Sequence, residues 1–338
     1  MTRSLLLSAA AVALVVAAAP AAAQPARADV PITEWQVPYD RSRPRDPYVA
    51  PDGKIWFVGQ VGNYVSVFDP ATAAFKKYDL EPGALPHNNI VGADGIVWYA
   101  GNANGTIGRL DPKTGAIKVI KMPANVRDPH TMMFDGKGGI WFTSQGSGVV
   151  GHLNMRTEEV RVVTIPVERS RPYGLVVDAT GRPWFDLFGT NKLGTIEPST
   201  LQLKLFDLPT GAQPRRIART TDGAVWYVDY ARGFLGRLDP ATSKVDEWPN
   251  PSGARAQPYA MTVDDADRLW YVETGVQPNR LIGFDSKTKT VIHNTPITGG
   301  DGRNSVRHMV FDPKTRSIWY GSDNGFLGQA KVPPKPIL

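Results

Sequence analysis

The sequence predicts an all-β fold, a seven-bladed β-propeller with four antiparallel strands per blade, and three observations carry that prediction. The motif Trp-[Phe/Tyr]-x-x recurs at Trp56, Trp98, Trp141, Trp184, Trp226, Trp270 and Trp319, spaced 42, 43, 43, 42, 44 and 49 residues apart. Self-similarity at about 40 to 50 residues is the period of a propeller blade, a small sheet that cannot cover both its faces alone and stacks on neighbours around an axis. Each unit also repeats the same order of strands and turns. Finally, the two ends of the chain complement each other.

The N-terminal segment "ITEWQVP" at 32 to 38 has the pattern of a fourth strand, and the last unit, from Val306 to Pro333, has room for only three. The N-terminal strand is therefore expected to complete the seventh blade, which leaves no open sheet edge for aggregation. Blade 1 reads "RDPYVAPDGKIWFVGQVGNYVSVFDPATAAFKKYDLEP" and blade 2 "LPHNNIVGADGIVWYAGNANGTIGRLDPKTGAIKVIKMP". In both, a first strand follows an x-Pro-aromatic or x-Pro-His step, and an Asp-Gly turn leads to the Trp strand. Such turns need a positive φ, which glycine adopts without strain. Asp69-Pro70, Asp111-Pro112, Glu197-Pro198 and Asp239-Pro240 mark the turn into the fourth strand, because proline fixes φ and cannot continue a central ladder.

Residues 1–23, "MTRSLLLSAAAVALVVAAAPAAA", read as a secretory signal with cleavage after Ala23 or after Ala28, which places the protein in the periplasm or outside the cell. Residues 29–333 form one propeller domain and 334–338 a short tail. No later segment has the roughly 18 apolar residues that stable membrane insertion needs. The chain has no cysteine, so it is held by its core rather than by disulfides, and thiol nucleophiles and Cys-ligated metals are excluded. Its net charge is +6, with Lys and Arg scattered over outer strands and no basic run of the kind that binds nucleic acid.

Ligands of a propeller meet the ring where the chain opens each first strand and leaves each second strand, two points on the same face. The first-strand openings offer Tyr48, His87, His130, Tyr173, Arg215, Tyr259, and Arg307 with His308. They read as a polar, partly aromatic collar around a small-molecule pocket, with His87, His130, Tyr259 and His308 available for proton transfer. Tyr48, Tyr173, Arg215 and Arg307 are then the ligand contacts. A plugged channel top, its side chains bonded to one another, is the alternative. His152 and His293 fall in a third and a fourth strand and are expected at the surface. After the tryptophans come Gln60, Asn102, Gln145, Asp186, Asp229, Glu273 and Asp323. Asp229, Glu273 and Asp323 offer oxygen ligands for Mg²⁺ or Ca²⁺, or an acid and base pair; pairing with Arg215, Arg307 and backbone N–H groups is the alternative. Walker, Rossmann, G-x-S-x-G and H-E-x-x-H motifs do not occur.

The repeated unit, with "NGTIGRLDP", "TNKLGTIEP" and "GFLGRLDP" in its third strands, resembles the virginiamycin B (streptogramin B) lyase family of seven-bladed propellers over all seven blades. The resemblance implies a carbon-oxygen lyase: a base takes the proton beside the carbonyl, Mg²⁺ steadies the enolate, and a protonated group assists the leaving carboxylate. It also implies sites. Where the family places a histidine in the sixth blade this chain has Tyr259; where it places a Glu and a His opening the seventh blade this chain has Ser305 and Arg307. Asp323 stands at the family's last glutamate. The expected function is an exported lyase-type enzyme acting on a small cyclic or ester-bearing molecule. A non-catalytic propeller that binds a ligand or a protein partner, and a metal-dependent lactonase-like hydrolase, share the architecture.

Overall fold

The computed structural model describes residues 29–300 and 302–334; the signal segment and the last four residues lie outside them. Seven four-stranded antiparallel sheets form the ring, and the only helical element among the described residues is a single 3-10 turn, Gly253–Arg255. Six blades take their strands in chain order. In the seventh, the order is Val306–Asp312, Ser317–Ser322, Phe326–Lys331 and then Ile32–Gln36 outermost, with Ile32 opposite Ala330 and Gln36 opposite Phe326. The N-terminal strand thus closes the ring as expected.

The core lies between blades, not within them. Trp319 and Leu327 of blade 7 pack on Ile55, Phe57 and Phe68 of blade 1, and Trp141 and Val150 of blade 3 pack on Phe185, Leu187 and Ile196 of blade 4. All seven repeat tryptophans are buried, and several also satisfy their indole N–H: Trp141 donates to the Gly181 carbonyl at 3.1 Å and Trp270 to Asp264 at 2.9 Å. The aromatic residue after each tryptophan explains the glycine of the third-strand motif. Tyr99, Phe142, Phe185, Tyr227 and Tyr320 lie directly across from Gly108, Gly151, Gly194, Gly236 and Gly328. At each of these glycines a Cβ would fall inside the facing ring. Ring and glycine are one packing unit.

Two expected surface residues are buried. His152 Nε2 donates to Asp135 Oδ2 at 2.8 Å and packs on Trp141, and His293 stacks on Trp270 with ring centroids 5.4 Å apart. Hydrophobic faces of third and fourth strands lie between blades, and an imidazole fits there when its polar atoms are met.

Candidate active site at the axial mouth

The tryptophan ruler places the site. Six of the seven first strands carry a register shift where they open, at Arg45/Tyr48, Pro129/Met132, Pro172/Leu175, Pro214/Arg216, Pro258/Met261 and Val306/His308. A bulge breaks the strict alternation of side chains, so two consecutive residues can face the axis. The result is two stacked tiers. The outer one holds Arg45, His87, His130, Tyr173, Arg215, Tyr259 and Arg307, and the inner one includes Asp46, Asn88, Thr131, Arg216 and His308.

Arg216 closes the inner tier across the ring. Its guanidinium donates to Thr131 Oγ1 of blade 3 at 3.1 Å, to Asp46 of blade 1 at 3.4 Å and to the Arg307 carbonyl of blade 7 at 3.3 Å. Asp46 is fully buried and also accepts from Asn88 Nδ2 at 3.0 Å. Sequence reasoning missed Arg216 and Asp46, because alternation assigns them to the blade interior. His308, expected at the mouth, lies one tier deeper, beside Arg216, Asn88 and Thr131 in an axial cavity of about 310 Å³. Burial drops its pKa to about 4.

In the outer tier, His87 and His130 are in face contact at a tilt of 31° with ring centroids 3.5 Å apart, and His130 lies 4.2 Å from the Tyr173 ring. Burial and the neighbouring cationic groups hold both imidazoles well below their ordinary pKa, so they are neutral donors or acceptors. His87 Nε2 meets Arg45 Nη1 at 3.1 Å, and His130 Nδ1 meets Thr131 Oγ1 at 3.0 Å. The Tyr173 hydroxyl is hydrogen-bonded to that of Tyr259. Burial raises both phenols; at Tyr259 the Arg215 and Arg216 guanidiniums, the Tyr173 hydrogen bond and Arg307 outweigh it, so Tyr259 titrates below the ordinary tyrosine value while Tyr173 titrates above it. Arg215 lies over the Tyr259 ring at 3.7 Å, and Arg307 at 5.5 Å.

Tyr48 is not in this collar. It lies opposite Trp56 in the register, deeper than the collar, and lines both the axial cavity that holds His308 and a cavity of about 1180 Å³ with Met133, Phe134 and Phe311. The true member from blade 1 is Arg45, in the step Pro44-Arg45, eleven residues before Trp56 as His87, His130, Tyr173, Arg215 and Tyr259 are before theirs. The second proline, Pro47, imitates the step three residues too late.

The three acidic candidates do not converge. Asp229 accepts the N–H groups of Gln213, Ala231 and Arg232 at 3.0, 3.1 and 3.2 Å, and Glu273 accepts from Ser252 N at 3.0 Å and Ser252 Oγ at 2.5 Å. Both are turn anchors with no exposed surface. Asp323 does belong to the mouth, where Arg307 holds it at 2.6 and 2.7 Å and Arg43 at 3.4 Å. Among the described residues no group of three or more His, Asp or Glu side chains is arranged to hold a metal ion. A divalent cation at Asp323 would sit against Arg43, Arg45 and Arg307, so the donor set of the mouth does not suit Mg²⁺ or Ca²⁺.

A profile of the virginiamycin B lyase family matches residues 30–329. The fold is similar to that of virginiamycin B lyase from Staphylococcus aureus, with a TM-score of 0.81, 23% identity and coverage of 90% of this chain and 100% of that one. The same values hold for a catalytically inactive histidine-to-alanine variant of the S. aureus enzyme solved with quinupristin. A mitotic checkpoint complex contains a propeller similar at TM-score 0.75 and 12% identity, covering 97% of this chain and 100% of that one. At these identities the likeness to solved structures speaks for the fold. Among proteins of curated function, none matches this sequence significantly.

Proposed function

This chain belongs to the virginiamycin B lyase family, and from that premise we propose that it is an exported lyase-type enzyme that opens a small cyclic or ester-bearing molecule at the axial mouth. The N-terminal apolar segment supports export. The observation that carries the chemistry is Tyr259: its phenol is acidified by Arg215, Arg216 and Arg307, is bonded to Tyr173, and stands on the opening step of the sixth blade. A phenolate there serves as general base, a role that needs a pKa drawn toward the working pH.

The step balances without added reactants. The Tyr259 oxygen takes the proton on the carbon beside a carbonyl, and that C–H electron pair becomes the new C=C bond. The adjacent C–O bond breaks, and its pair leaves on the carboxylate. Arg215 and Arg307 bear the negative charge that develops on the carbonyl oxygen, which is the work of preorganised donors in a site shielded from water. His87 and His130, neutral and packed against the Tyr173 ring, position the tyrosine pair.

Mass spectrometry of lactones and depsipeptides incubated with the purified protein tests this. Elimination leaves a ring-opened product of unchanged mass, and hydrolysis adds one water. Turnover by elimination that falls about 10²- to 10⁴-fold in Tyr259→Phe supports the assignment; turnover that survives the change overturns it. A propeller that binds without chemistry is favoured by one feature, the 1% exposure of Tyr259. Absence of any turnover across the screen would decide for it.

A further inference from the structure

Arg215 is a charge without an ion-pair partner. Among the described residues its guanidinium has no carboxylate in salt-bridge reach and no hydrogen bond, and its Nε is buried and unpaired; the buried Asp186 feels its charge, but burial raises that carboxyl well above the ordinary aspartate value. The other mouth arginines are met: Arg45 by His87 at 3.1 Å, Arg216 by Asp46 at 3.4 Å, and Arg307 by Asp323 at 2.7 Å. What holds Arg215 is a box of ring faces, with Cζ 3.7 Å from the centroid of Tyr259, 4.2 Å from Tyr230, 4.5 Å from Phe188 and 5.7 Å from Tyr173. Aromatic faces attract a cation but accept none of its N–H groups in the fork geometry that a carboxylate matches. A half-buried guanidinium with idle donors is unfavourable until an anion arrives.

The surroundings narrow the anion. Arg43, Arg45, Arg215, Arg216 and Arg307 converge on the mouth; the carboxylates paired with them are Asp46 and Asp323, and a third acidic group, the buried Asp186 near Arg215 and Arg216, is pushed by burial toward its neutral form. The excess is positive. Phe188 and Tyr230, 6.0 Å apart and only half-buried, form an apolar wall beside the idle donors. Inorganic phosphate would gain the charge but waste the wall, and a neutral aromatic would gain the wall and leave Arg215 unpaired.

We propose that the mouth binds an organic monocarboxylate with a flat or apolar body, and that Arg215 is the residue that receives its carboxylate. The inference rests on the mouth being the ligand site, as in the preceding subsection, but not on any elimination there. It has a linked consequence. Tyr259 is faced by Arg45 from blade 1, Tyr173 from blade 4, Arg215, Arg216 and Tyr230 from blade 5 and Arg307 from blade 7. Its phenolate and the ligand carboxylate draw on the same Arg215, so each weakens the other, and carboxylate binding drives a proton back onto the tyrosine pair.

The test uses the full chain with benzoate as probe, and benzyl alcohol and inorganic phosphate as comparators. Calorimetry should give benzoate an affinity at least tenfold above both. Arg215→Gln should weaken benzoate roughly tenfold or more, the scale of a lost charged hydrogen bond, and Arg215→Lys should fall between. In alkaline buffer, benzoate should reduce the tyrosinate absorbance of the native protein and leave that of Tyr259→Phe unchanged. Equal benzoate binding by Arg215→Gln, equal binding of either comparator, or no benzoate binding overturns the proposal. If Arg215→Gln lacks a cooperative thermal transition, the Arg215→Lys affinity and the tyrosinate change decide in its place. Benzoate binding without turnover of any ester sinks the lyase reading alone, and turnover of neutral esters without benzoate binding sinks this one alone.

Discussion

The second strands and the first strands of this ring were copied the same number of times, yet they aged differently. Every second strand keeps its tryptophan, and the residue after it is always Phe or Tyr. The collar position eleven or twelve residues earlier holds Arg, His, His, Tyr, Arg, Tyr and Arg. The cause is geometric. A tryptophan between blades meets the same neighbour in every unit, so one solution serves all seven. Side chains at the axis meet each other, and seven identical ones there would clash in shape and charge. Uniformity marks packing in this fold, and its loss marks the place where ligands can be told apart.

Acid should break the difference most. His87, His130 and His308 are buried with lowered pKa, two of them well below 6.5 and His308 at about 4. Between these values and the ordinary 6.5, the unfolded chain binds protons that the folded ring does not, so stability rises with pH in that window and is lost as pH falls. Where all three are charged only when unfolded, the slope reaches about 4 kcal/mol per pH unit. Urea unfolding from pH 7 to pH 4.5 checks it; a flat profile would mean the histidines are open to water.

Next comes the scaffold alone. Trp141→Ala should lower stability by about 3–5 kcal/mol through the cavity it leaves between blades 3 and 4, while benzoate affinity of the folded protein stays as it was. A change in affinity of tenfold would show that packing and collar are not separable. Gly236→Ala should act through the same layer but less, by about 1–3 kcal/mol, because a methyl group forces the Tyr227 ring off its seat. Denaturant midpoints at constant slope check both.

This division also explains what could be read in advance. The blade number, the strand order and the closure by Ile32–Gln36 follow from spacing and turn chemistry, which are local and repeated. Six of the seven collar residues followed from the same ruler. Tyr48 lies outside the collar because distance to Trp56, rather than the proline of "RDPY", marks the position, and that distance selects Arg45. Arg216 and Asp46 are hidden by the bulges, which overturn period-two alternation without any signature in one strand. The aromatic box of Arg215 depends on Phe188 and Tyr230, both four residues past their tryptophans, beyond the point where the second strand was thought to matter.

The smallest expected effect is the most discriminating for the collar. A site that holds Mg²⁺ or Ca²⁺ at 100 times its Kd adds about 2.7 kcal/mol to folding stability. Here the expected gain is none, because Asp229 and Glu273, at the ends of their strands, already accept from Gln213 and Ser252, and because Asp323 is held by Arg307 and Arg43. A cation would have to displace a guanidinium that is itself doing a cation's work. Thermal melts in millimolar Mg²⁺, Ca²⁺ and chelator should superimpose. A stabilisation that Asp323→Asn removes would place a metal at the mouth after all, and Arg307 would then have to swing away to admit it, opening the same face to which benzoate should bind.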